Sequence, residues 1–128
     1  MSSKWQLLLG RVLLSVIFIL SGFGKLTHFH DTAAMMAGKG IPLATVALVI
    51  TLFIEIGGGL MVLTGYHARY AALVIALWLI PVTLVFHNFW AAPAAQQMEQ
   101  QINFLKNVAI MGGLLVTAYA SPAITVKK

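Results

Sequence analysis

The chain has 128 residues, of which 60% are hydrophobic and only 9% charged, with eight Lys/Arg against three Asp/Glu. A soluble domain carries about 25% charged residues, so this composition excludes an ordinary water-soluble fold, and its abundance of Leu, Ile, Val and Phe excludes a disordered chain. The absence of Cys removes disulfides and thiolate chemistry on this chain alone, and the net charge of +5 comes from scattered residues, not one basic face, so nucleic acid is not an expected partner.

The lipid bilayer is the expected partner. Four apolar stretches each reach the about 20 residues that span it as a helix. The first covers about 5–24, with Arg11 as its only charge. Arg11 interrupts the run and no small-x-small cleavage site follows, so it reads as a retained helix, not a signal peptide. A connection then carries Lys25, His28, His30, Asp31 and Lys39, and ends in the breaker-rich Gly38-Lys39-Gly40-Ile41-Pro42. The second span covers about 43–65 with Glu55 as its only charge, and the short turn Tyr66 to Arg69 makes a tight antiparallel hairpin with the third, about 70–90. A connection with Pro93 and a Gln-rich piece leads to the fourth span, about 102–119, whose only charge is Lys106. Helices satisfy their own backbone, so the expected fold is all-α, a single domain forming a four-helix transmembrane bundle. Lys4, Arg69, Lys127 and Lys128 on one side outnumber Lys25 and Lys39 on the other, which places both termini in the cytoplasm.

A charge at the bilayer centre costs at least about 2.5–3.5 kcal/mol on insertion scales, so polar groups within spans face the bundle and find partners. The candidates for an intramembrane polar pocket are Arg11, Ser21, Lys25, Glu55, His87, Asn88, Lys106 and Asn107. With a rise of about 1.5 Å per residue, Glu55 lies about 18 Å below the outer end of its helix, near the midplane. Lys25 or Lys106 reaching inward, or Arg11 reaching outward, would each neutralise it. Gly22, Gly58, Gly59, Gly112 and Gly113 read as close helix packing, and Pro81 as a kink below His87. Ile56 to Val62 echoes Ile110 to Val116, the trace a duplicated hairpin would leave. His28, His30 and Asp31 are too few for a metal motif, so no metal site is expected.

Arg11, Ser21-Gly22-Phe23-Gly24-Lys25, Met35 to Pro42, Glu55-Ile56-Gly57-Gly58-Gly59, Phe86-His87-Asn88-Phe89-Trp90 and Asn103-Phe104-Leu105-Lys106-Asn107 together resemble the DoxX family of small four-helix bacterial inner-membrane proteins. The likeness runs from about Arg11 to Pro122. It implies a place beside membrane oxidoreductases, because the family is linked to the small subunit of a thiosulfate:quinone oxidoreductase. The first functional expectation is therefore a small membrane subunit of a quinone-linked oxidoreductase system. It would have quinone as its ligand and oxidoreductase subunits, or a second copy of the chain, as partners. Glu55, Arg11, Lys106 and His87 would line the pocket. The alternative is a non-enzymatic scaffold or assembly factor, since no self-sufficient catalytic constellation stands out. A small transporter or proton pathway is the third reading, resting on Glu55 alone.

Overall fold

A computed structural model describes residues 2–122. Lys127 and Lys128, which enter the topology count, lie outside the described residues. The described residues form helices and no strand. α1 (Ser3–Thr27) starts at Ser2, whose hydroxyl accepts the Trp5 N–H at 3.4 Å. The second span comprises α3 (Ala44–Leu52), a π-helical turn (Phe53–Gly58) and α4 (Gly59–Thr64). The third is α5 (Ala68–Phe86) and the fourth α6 (Ala94–Ala120). Each of the four spans is long and apolar enough to cross a membrane.

Three features differ from the sequence expectation. The first connection holds a helix, α2 (Phe29–Gly38), which buries Met36. It stops at Gly40, whose φ of +86° is cheap for glycine alone, and Pro42 follows. α6 begins eight residues before the expected 102, because Ala, Gln, Met and Glu are good helix formers even where they are too polar to read as a span. α5 continues through Pro81 and ends at Phe86, short of 90, with a 3-10 turn at Phe89–Ala91.

The turn from the second span to the third is as tight as expected. Gly65, with φ +86°, donates its N–H to the Met61 carbonyl at 2.9 Å, the usual left-handed stop of a helix. His67 also has positive φ, at 50°, and leads straight into α5.

The core lies along α5, where Ala71, Ala72, Ile75 and Ala76 meet Val62 of α4, Phe18 of α1, and Leu114 and Ala118 of α6. The small side chains let backbones come close, which is how helices associate where lipid is as apolar as leucine. Apolar side chains cover the outside: Leu13 is 66% exposed, Leu77 70% and Val116 68%, as a lipid-facing surface requires.

The second span changes neighbours at its π turn. α4 and the π turn pack on α5, but no Cα of α3 comes within 8 Å of a Cα of α5. α3 leans instead on α1 and α2. A wedge therefore opens between α3 and α5 at the end of the bundle that carries α2. α6 is unbroken at Ile110 to Val116, so the sequence echo with Ile56 to Val62 is not matched by a second π turn.

Candidate functional site

Glu55 sits in the π turn and is 4% exposed. π turns insert an extra residue into a helix and recur at functional sites. Gly22 of α1 explains how this turn comes so close. A Cβ there would lie 2.5 Å from Ile56 Cγ1 and 3.2 Å from Glu55 Cβ. The missing side chain thus brings the carboxylate up to α1, where Ser21 and Lys25, one turn apart, present both their side chains on one face.

The result is a closed polar triad. Lys25 Nζ donates to Glu55 Oε1 at 3.1 Å and Oε2 at 3.2 Å, and to Ser21 Oγ at 2.7 Å. Ser21 in turn donates its hydroxyl to Glu55 Oε2 at 3.3 Å. Of the three cations weighed from sequence, Lys25 is the one that meets Glu55. Its side chain is 29% exposed against 5% for Glu55, so the lysine reaches in from the rim while the carboxylate stays buried. This is the one ion pair among the described residues.

Across the bundle, two hydrogen bonds tie α5 to α6. Asn107 Nδ2 donates to Thr83 Oγ1 at 3.1 Å, and His87 Nδ1 meets Gln100 Oε1 at 2.8 Å. With an amide oxygen as acceptor, Nδ1 carries the hydrogen, so in the neutral ring Nε2 is an acceptor. Phe89, Trp90 and Phe104 pack edge to face beyond His87, with centroids 5.3–5.9 Å apart.

Two chambers flank the triad. One, of about 200 Å³, lies under α2, between Thr32, Met35 and Met36 above and Glu55, Lys25 and Thr51 beside it. The other, of about 140 Å³, runs between Ser21, Phe18 and Ile17 on α1 and Asn107 and Ile110 on α6. Lys25, Glu55, Trp78, Val82 and His87 line both. A dry cavity of about 150 Å³ is enough for a benzene-sized ring.

The structure therefore gathers Ser21, Lys25, Glu55, His87 and Asn107. It does not gather the others. Arg11 lies at the opposite end, with its guanidinium over Gly65, where a Cβ would sit 3.1 Å from Nη2. Lys106 is exposed on the outside of α6, one position and about 100° from Asn107. Asn88 immediately precedes the 3-10 turn and lines neither chamber. Trp78 and Gln100 are site residues that sequence reading passed over. Trp78 sits mid-span among apolar neighbours and carries no signal, while Gln100 was legible as the polar residue one turn and a half before Lys106.

The glycines divide as well. At Gly58 a Cβ would meet Ile75 at 3.0 Å, and at Gly59 it would meet Ile19 at 2.9 Å. Gly113 would make ordinary contact with Leu14 at 3.8 Å, and Gly112 faces open space, so it serves no close approach within the chain. Among the described residues no group of three His, Cys, Asp or Glu is placed to hold a metal ion.

The DoxX family model matches residues 6–88, which takes in Ser21, Lys25, Glu55 and His87 but stops before α6. Inner membrane protein YqjF of Escherichia coli (strain K12) is 36% identical over 115 residues, 90% of this chain and 83% of that protein. Inner membrane protein YphA of the same organism is 29% identical over 116 residues, 91% of this chain and 83% of that protein. No solved structure matches the chain. With that match, those relatives and four membrane-length helices, the chain belongs to the DoxX family and is a multi-pass protein of the bacterial inner membrane.

Proposed function

We propose that the chain is the small membrane subunit of a quinone-linked oxidoreductase system, and that the chambers beside Lys25 and Glu55 receive the quinone head group. The observation that carries this reading is a buried ion pair and a histidine lining ring-sized chambers in an otherwise apolar bundle. A quinone presents two carbonyl acceptors on a six-membered ring, and the residues suit it. The Lys25 ammonium can donate to a quinone carbonyl oxygen, His87 Nε2 and Glu55 can accept from the hydroxyls of the reduced quinol, and Trp78, Val82 and Phe18 supply apolar walls. Reduction of a quinone takes up two electrons and two protons. The electrons come from a partner oxidoreductase subunit, since this chain has neither Cys nor a metal cluster site among its described residues.

The chain's own part is positioning and proton handling. Lys25 orients a carbonyl oxygen, Ser21 and Glu55 hold the ammonium in place, and Gln100 fixes the His87 ring so that Nε2 can accept a proton from a quinol hydroxyl. With both termini cytoplasmic, as the Lys/Arg distribution favours, the α2 end faces the periplasm.

Trp78 gives the test a built-in reporter. In lipid nanodiscs, a variant with Trp5→Phe and Trp90→Phe keeps Trp78 alone, and added ubiquinone-0 is expected to quench it saturably. Quenching that rises only linearly with concentration, as collision alone would give, defeats the reading. The scaffold reading keeps one observation in its favour: the same polar groups tie α1 to the second span and α5 to α6. It predicts no saturable quenching.

A further inference from the structure

The chamber under α2 does not end at its walls. A hollow of about 310 Å³ shares Met36, Thr51, Trp78, Val82 and Phe86 with it and continues between α3 and α5. Its remaining lining is Ile41, Ala47, Ile50, Pro81 and Val85, without a polar or charged side chain. This hollow is the wedge left where α3 and α5 stay apart. On the lipid side Ile50 is 53% and Val85 37% exposed. At the α2 end the wedge is roofed. Thr32, Met35 and Met36 lie over the chamber, and Lys39 Nζ stands 5.8 Å from the Phe86 ring centroid, bridging the end of α2 to the end of α5.

We propose that the site is reached sideways from the bilayer, and that the α3–α5 wedge holds the aliphatic tail of an amphiphile whose ring-sized, oxygen-bearing head sits beside Lys25 and Glu55. The proposal rests on the quinone reading and adds its route and tail chemistry. Charge and apolarity divide along one continuous space: both ionised groups line its inner end, and the lipid end is wholly apolar. A water-borne ligand would meet the α2 roof; a lipid-borne one meets an open seam. The wedge need not attract the tail, because lipid is as apolar as its walls. It lets the tail pass while the head is seated.

The test fills the wedge. Ala47→Phe and, separately, Val85→Phe are made in the protein with Trp78 as its sole tryptophan. Quenching by decylubiquinone and by tail-less ubiquinone-0 is titrated in nanodiscs. The expected result is a loss of at least about tenfold in decylubiquinone affinity in either variant, with ubiquinone-0 affinity within about twofold of the unfilled protein. Two folded variants that bind decylubiquinone as the unfilled protein does, or that lose both probes equally, overturn the lateral route and leave the head-group reading standing. Absence of saturable quenching by either probe in the unfilled protein overturns both.

Discussion

At the end of the bundle away from α2, the Arg69 guanidinium rests on backbone carbonyls; at the α2 end, a cation rests on a buried carboxylate. Arg69 donates Nε to the carbonyls of Ala118 and Ser121 at 3.1 and 3.0 Å, tying the start of α5 to the end of α6. Arg11 lies over the left-handed Gly65. Arg69 sits where the C-terminus of α6 offers unpaired carbonyls and partial negative charge, so it needs no acid. The spans there pack on the alanines of α5 and on Ala118 of α6. At the other end Glu55 is buried in mid-span, and α1 supplies Lys25 and Ser21. The same end is where α3 parts from α5. Helix ends can satisfy charge on their own, whereas a carboxylate in mid-span needs a designated partner. Here that requirement coincides with the place where the bundle opens between α3 and α5.

The largest expected effect comes from separating the pair. Lys25→Met leaves a buried carboxylate without a counter-ion and should destabilise the protein by about 3–5 kcal/mol, read by chemical unfolding in mixed micelles. Adding Glu55→Gln should restore most of that loss, because the two residues act as one unit. A double variant whose loss equals the sum of the single ones would show that Lys25 and Glu55 do not interact in the membrane.

Packing at the π turn comes next. Gly22→Ala places a Cβ 2.5 Å from Ile56 Cγ1 and should cost about 1–3 kcal/mol, whereas Gly112→Ala, with nothing near, should be neutral or stabilise by up to about 1 kcal/mol. Equal effects at the two sites would mean that α1 and the second span are not in the contact described. At the terminal end, Arg69→Met should cost about 1 kcal/mol, since it removes only carbonyl bonds that water can replace. Lys106→Met, on the exposed face of α6, should stay within about 0.5 kcal/mol of the parent protein in the same unfolding series. A loss at Lys106 as large as that at Lys25 would erase the contrast between a paired and a lipid-rim lysine.

Much of the fold was legible because apolar runs of membrane length have few other uses. The limits were less so. Ala94 to Gln101 is helical by propensity but polar, and a hydropathy reading stops where polarity begins. α2 escaped notice because His28, His30 and Asp31 give it the look of a loop, although Met36 marks an inward face. Glu55 stood out as a charge in mid-span, but its partner is 30 positions away, and three cations lay within plausible reach. Gly22 held the missing signal: a glycine beside Ser21, one turn from Lys25, marks the face where another backbone comes close. The π turn and the wedge depend on how four helices settle together, and no local pattern encodes them.

Removing both charges of the pair at once separates its service to the chambers from its service to the fold. The measurement is decylubiquinone quenching of Trp78 in nanodiscs containing the Lys25→Met, Glu55→Gln double variant, with stability followed alongside. The account predicts a protein within about 1 kcal/mol of the parent in stability, since a neutral pair of similar size can replace a buried ion pair, but with saturable quenching lost. A double variant that is stable and still binds decylubiquinone with the parent affinity would contradict it.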